Sequence, residues 1–452
     1  MKNILKAVCR TSHPKSALGV VLLLTFSAHS SANLTLQDAV QLAIKNDPWL
    51  TRSELNQRAT QWQSVAADTL PNPVLSVGML NLPSNGFDPN QEDMTQLKVG
   101  ISQALPRGNS LTLKREMLET QAQAQPYLRA NRKAQVRLAV TQHWLVAYQA
   151  HLSQSLMQHH RHLFVELLAL SEARYQSTQG PTRLQDMVQA KVEIARIDDK
   201  LDALNSEFEA AWLRLTEWLT DHPEYQNQNA AFITDVSTIP TLNSPTLTAL
   251  KKRDFTQLSE LTKHHPTLRA VNQNIRSSAL SIKLAEQAYK PQWGINTSYA
   301  YRDDRENGDS RADFFSVGVT LDMPLFNTAR QDADVSSAKL KTEATRTEQR
   351  LLHQQLIAKA LSVYSRMQQL QTRETRYEND ILPQLQHRSD AAIASYRHAN
   401  GIFDVAVQAH IAHLQAQVEL IKLRAQRLQA QSELAYYFSS SSHIDSHQGG
   451  QP

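Results

Sequence analysis

Only 12 glycines occur in the 452 residues, and their placement restricts what the chain can build, because glycine weakens helices and serves turns. Gly19 lies near the start, and Gly449 and Gly450 lie in a polar end. Seven more (Gly78, Gly86, Gly100, Gly108, Gly294, Gly308 and Gly318) fall in or beside two regions, 72–108 and 292–325, that alternate apolar and polar residues as strands do. Gly180 and Gly401 stand alone. Stretches 109–179, 181–293, 319–400 and 402–448 have none and are rich in Ala, Leu, Gln, Glu and Arg, all good helix formers.

Those stretches carry helical periodicity. Met187, Ala190, Ile194, Ile197, Leu201, Leu204, Phe208, Ala211, Leu215 and Trp218 step by three and four, as do Val407, Ile411, Leu414, Val418, Ile421, Ala425 and Leu428. This is the seam of a coiled coil. A helix over 109–179 would reach about 105 Å, longer than a compact domain uses, with a kink or break expected at Pro126. Trp49, Trp62 and Trp144 lie on helical patterns and read as packing residues.

The halves repeat. "VGISQALP" at 99–106 returns as "VGVTLDMP" at 317–324, "NDPWL" at 46–50 as "HHPTL" at 264–268, and Pro71 as Pro291. Tyr175 precedes Gly180 as Tyr396 precedes Gly401, and "VQA" follows at 188–190 and 407–409. Offsets of 218 to 221 in one order indicate duplication. The division expected is a first repeat over 33–220, a linker over 221–252, a second repeat over 253–438 and a polar tail over 439–452. Each repeat reads helix, strand, loop, strand, long helix, turn, helix, with strand pairs near 72–82 with 95–105 and 293–303 with 314–324. Leu97, Val99 and Ile101 alternate with Lys98, Gly100 and Ser102, which suits either a lipid-facing strand or a half-buried soluble sheet.

Residues 1–32 have the order of a secretory signal peptide: Lys2, Lys6, Arg10 and Lys15, then an apolar run from Ala17 to Phe26, then "SAHSSA", with cleavage expected after Ala32. Without that leader the basic and acidic side chains number 43 each, so no charge excess points to nucleic acid. The one cysteine, Cys9, is in the leader, which removes disulfides, thiolate metal sites and a lipidated N-terminal cysteine from the mature chain. No later stretch is apolar enough for a spanning helix, so membrane entry would have to use a closed barrel. Four strands cannot close one around a lumen, so several copies would have to share it.

The duplicated plan, with "LPNPVLSVG" at 70–78, "GISQALPRG" at 100–108, "ILPQ" at 381–384 and "YRHANGIFDV" at 396–405, resembles the TolC-type outer-membrane factors of Gram-negative efflux systems over about 34–438. The fold class implied is mainly α with transmembrane β: coiled-coil helices forming a periplasmic α-barrel, and four strands per subunit in a twelve-stranded barrel shared by a homotrimer. The resemblance implies a passive exit duct, not an enzyme, with no cofactor. Its implied partners are a periplasmic adaptor, an inner-membrane efflux transporter of the resistance-nodulation-division type, and outer-membrane lipid. "LPNP" and "SQALPRG" look most like the heavy-metal efflux branch, and a multidrug or type I secretion duct is the alternative within the family.

In that family helix pairs meet at turns around the periplasmic entrance, and the matching turns here are at Gly180 and Gly401. Asp186 and Asp404 are the matching acids, each expected either to line the entrance or simply to favour the first turn of its helix. His159 with His162, and His410 with His413, share helix faces at i, i+3 but lack completing ligands, so they read as solvated surface residues rather than a metal site. Two other classes compete: a soluble periplasmic coiled-coil adaptor, and an enzyme with helical decoration. No cluster of nucleophile, base and oxyanion donors supports the enzyme.

Overall fold

The computed structural model describes residues 34–176, 184–219, 235–305, 308–398 and 401–440. The element order runs twice. The first series is α1 (Leu36–Lys45), α2 (Pro48–Ala67), β1 (Val74–Leu80), β2 (Gln96–Ala104), α3 (Ser110–Ala122), α4 (Ala124–Gln176) and α5 (Leu184–Leu219). After α6 (Ser244–Lys252), which lies within the stretch read as a linker, come α7 (Phe255–Thr262), α8 (Pro266–Glu286), β3 (Gln292–Tyr301), β4 (Phe314–Asp322), α9 (Ala329–Arg376), α10 (Leu382–Arg397) and α11 (Phe403–Tyr437). The leader and Gly180 lie outside the described residues.

Local chemistry sets the boundaries. Helices α2 and α8 both open with proline at the first position, where no N–H is needed, and both are capped by the preceding side chain, Asp47 or His265. The "NDPWL" and "HHPTL" landmarks are these caps. Between α3 and α4 the chain breaks at Gln123, three residues before Pro126, whose ring would strike the carbonyl of Ala122 in a continuous helix. In the second series the break comes later, as a π-helical turn at Tyr377–Ile381 just ahead of Pro383.

The strands form one antiparallel sheet in the order β1-β2-β3-β4. They are slightly shorter than the alternation suggests. Pro73 offers no N–H to extend β1 at its start, and Asn81, at φ 57, turns the chain at its end.

The helices continue that order. Helix α2 packs on α3, α3 on α8 and α8 on α9, so a wall of four helices extends below the sheet with α2 and α9 at its edges. Further along, α4 pairs with α5 and with α11, and α11 packs on α9 and α10.

The interior is several apolar clusters strung along the helices rather than one core. One joins α1, α4 and α5 around Trp144, Leu145, Trp212 and Leu215, and another joins α6, α7, α9 and α11 around Leu250, Leu258, Val363 and Leu434. Two more lie along the α4, α5 and α11 contacts, around Met157, Leu204 and Leu414, and around Phe164, Tyr396 and Phe403. The α5 and α11 seams are buried along much of their length, including Ala190, Ile197, Leu204, Ala211 and Leu215. Among the tryptophans, Trp144 is fully enclosed, whereas Trp62 is 73% exposed on edge helix α2, so its reading as a packing residue does not hold within this chain.

Candidate functional site

The register places like residues in rows across all four strands. Val77, Val99, Tyr299 and Phe315 form one row, and Leu75, Ile101, Thr297 and Val317 form the next row on the same face. The opposite face carries Ser76, Gly100, Ser298 and Ser316 in one row, and Val74, Ser102, Asn296 and Gly318 in another. Alternation along each strand thus becomes a mainly apolar sheet face and a mainly small, polar one.

No helix packs across either face among the described residues. Phe315 (72% exposed), Val317 and Val319 stand bare, as do Leu75 and Val77. A soluble half-buried sheet would cover this face, and contiguous apolar surface on this scale marks contact with lipid or protein. Among the described residues, strands β1 and β4 also each leave one edge unpaired. No described helix is long and apolar enough to cross a membrane.

Polar contacts fix the sheet on its helical wall. Arg107 pairs with Asp322 and donates to the Lys290 carbonyl at 2.9 Å. Gly108, at φ 47, lets this turn lie against Gln287 and Lys290, where a Cβ would approach both to 2.5 Å. On the wall's two flanks, Arg115 binds Asp68 at 2.7 Å and Tyr289 donates to Asp332. At the other end of the sheet, the two hairpin loops are joined by Arg305 and Arg311, both on Asp93.

At the helix tips, Asp186 is in the first turn of α5 and half-buried, and Asp404 is in the first turn of α11 and exposed. Gly401 is required by close approach: a Cβ there would lie 2.7 Å from the Tyr396 backbone nitrogen. Little in the residue pattern announces the contacts that bind the two series together near these tips. The hydroxyls of Tyr396 and Ser171 are 2.9 Å apart, Arg174 lies 4.6 Å above the Tyr396 ring, and Arg174 donates to the Arg397 carbonyl at 3.0 Å. Only the position of Tyr396 before Gly401 marked it.

The histidines divide differently from the sequence reading. His159 and His162 are solvated, but His410 and His413 are buried, which corrects their assignment to the surface. The reason is that α11 is enclosed by both α4 and α10, so its polar positions face neighbouring helices. His410 Nε2 lies 3.0 Å from His160 Nδ1, and its Nδ1 lies 2.9 Å from Ser389 Oγ. Burial pushes His410 down to about 4, with repulsion from His160 and His413 adding to it. Among the described residues no group of three or more His, Cys, Asp or Glu is placed to hold a metal ion.

Comparison with known proteins agrees with this geometry. Residues 257–438, most of the second series, match the family model described as outer membrane efflux protein. The chain is similar to the crystal structure of CusC, described for its transmembrane channel formation, with a TM-score of 0.73 at 14% identity over 90% of this chain and 93% of that one. It is similar to VceC of Vibrio cholerae, an outer membrane protein (0.69, 15% identity, 90% and 96% covered), and to the CmeC outer membrane channel of Campylobacter jejuni (0.70, 12% identity, 97% and 97% covered). No curated protein matches the sequence significantly.

The fold is that of these outer membrane channel structures. Over residues 257–438 the chain resembles the outer membrane efflux protein family.

Proposed function

We propose that three copies of this chain form the outer-membrane exit duct of a tripartite efflux system, through which an inner-membrane pump, coupled by a periplasmic adaptor, expels its substrate. The observation that carries the reading is the uncovered apolar face on a sheet with two unpaired edges. Joining β4 of one copy to β1 of the next satisfies both edges at once, and three copies supply the twelve strands that the family resemblance implies. The wall supports the same joint: edge helix α2 exposes Leu55, Trp62 and Val65, and edge helix α9 exposes Leu340 and Leu351. A soluble adaptor would leave this much apolar surface in water.

A duct needs a lumen and an entrance rather than a catalytic site. We assign the entrance to the helix tips, with Asp186 and Asp404 as carboxylate rings in the trimer that favour cations. Metal cations are the proposed cargo, supported by the "LPNP" and "SQALPRG" segments that resemble the heavy-metal efflux branch. A multidrug or type I secretion duct of the same family is the second reading.

Two experiments test this. In planar bilayers, replacing both Asp186 and Asp404 by alanine is expected to reduce cation preference, and unchanged conductance and selectivity would remove the entrance assignment. A deletion strain is expected to become sensitive to metal salts, and sensitivity confined to dyes or antibiotics would favour the second reading.

A further inference from the structure

The most unusual polar cluster in the helical half is the one around His410, where the two series of elements meet. Helix α4 of the first contributes His160, α11 of the second contributes His410 and His413, and α10 contributes Ser389. The His160 and His410 rings are 5.0 Å apart centre to centre, and His413 lies 6.4 Å from His160 and 6.3 Å from His410. Phe164 closes the space from α4, 5.4 Å from the His410 ring. Just tipward are Tyr396, Ser171 and Phe403, which also join the two series.

We propose that this histidine seam is a proton-sensitive joint: neutral, it holds the α4–α5 hairpin against the α10–α11 hairpin, and protonated, it releases them. Geometry supplies the reason. The 3.0 Å contact between His160 Nδ1 and His410 Nε2 has room for one hydrogen. A first added proton places a cation against Phe164 and two further imidazoles. A second sets two N–H groups head to head at hydrogen-bond distance.

The surrounding charges do little to offset this. On α4, His159 opposes protonation of His160. On α10, Asp390 favours the charged form of His413, but burial outweighs it. On α5, Asp198 is bound by Arg161 at 2.7 Å. Tipward, Glu166 is within 3.2 Å of His162 and 3.5 Å of Arg397.

The sign follows. All three histidines have folded-state pKa values below the ordinary 6.5, so the unfolded or parted state binds more protons in between. Their contribution is present in full above 6.5 and is lost as pH falls toward about 4, the value for His410. This behaviour is independent of the cargo, and the joint would loosen even if the duct reading were wrong.

Hydrogen exchange on the full chain in detergent, with a chelator present, tests it. Backbone protection factors, which correct for the intrinsic pH dependence of exchange, are compared at pH 7.5 and pH 5. Protection over 155–165, 386–394 and 406–415 is expected to fall about tenfold at pH 5, while α2 and α3 hold theirs. In the His160→Gln, His410→Gln, His413→Gln triple variant that local fall is expected to vanish. Should the triple variant not fold, His413→Gln alone, outside the hydrogen-bonded chain, is expected to shrink the fall. Unchanged wild-type protection, a uniform loss over the whole molecule, or a full pH response in the variant that folds would overturn the proposal.

Discussion

The two series of elements follow one plan and hold it together by different chemistry. At the start of α2, Asp47 caps the helix and is bound by Arg132 at 2.7 Å; at the matching start of α8, His265 caps through its ring and stands edge-on to Tyr436 at 5.2 Å. The first long helix breaks early, at Gln123, and the second late, at Tyr377–Ile381. Tyr396 is buried in the inter-hairpin contact, while its sequence counterpart Tyr175 is exposed. Topology survives such exchanges because the sheet register and the helix order depend on the periodic pattern, whereas caps and breaks are local and can be substituted singly.

That comparison can be broken at particular residues. The largest effect is expected in the apolar clusters. Trp144, fully buried, is matched at an offset of 219 by the smaller Val363. Trp144→Ala is expected to cost about 4 kcal/mol and Val363→Ala about 2 kcal/mol in denaturant unfolding of the detergent-solubilised protein. Equal losses would mean that the two clusters are not equivalent supports.

The caps come next. Burial holds His265 down at about 4, so its stabilisation is complete above the ordinary 6.5 and is lost as pH falls through that interval, by up to about 3 kcal/mol. His265→Asn keeps a capping acceptor but does not titrate, and is expected to flatten the stability profile between pH 6.5 and pH 4. An unaltered slope would assign the acid sensitivity elsewhere. At the second tip, Gly401→Ala is expected to cost about 2 kcal/mol, because the new methyl meets backbone at 2.7 and 2.9 Å; thermal unfolding would read it. The smallest effect on the isolated subunit is expected for Trp62→Ala, within about 0.5 kcal/mol. Its consequence is expected in association, as a greater share of dissociated subunits in native mass spectra.

Much of this architecture was legible in the sequence. Seven of the 12 glycines gathered in two regions marked the strands, three-and-four stepping marked α5 and α11, and Pro126 marked the break before α4. What a one-dimensional pattern could not show was which neighbour each helix face would meet. His410 and His413 were placed on one face of α11, but only the packing of α4 and α10 against that face encloses them. Trp62 has the spacing of a packing residue, and the edge position of α2 leaves it bare. The π-helical turn had only Pro383 as a signal, and proline is equally consistent with a simple kink. Asp186 could be placed at the start of a helix, but spacing alone did not show what its carboxylate meets.

The central claim is that the apolar sheet face meets lipid while the opposite face lines water. Cys9 is the sole cysteine of the chain, so single cysteines introduced along β4 report cleanly. Outer membranes carrying Ser316→Cys, Val317→Cys, Gly318→Cys or Val319→Cys can be treated with a water-soluble maleimide. The account predicts rapid labelling at 316 and 318 and protection at 317 and 319; uniform labelling, or the inverse pattern, would contradict it.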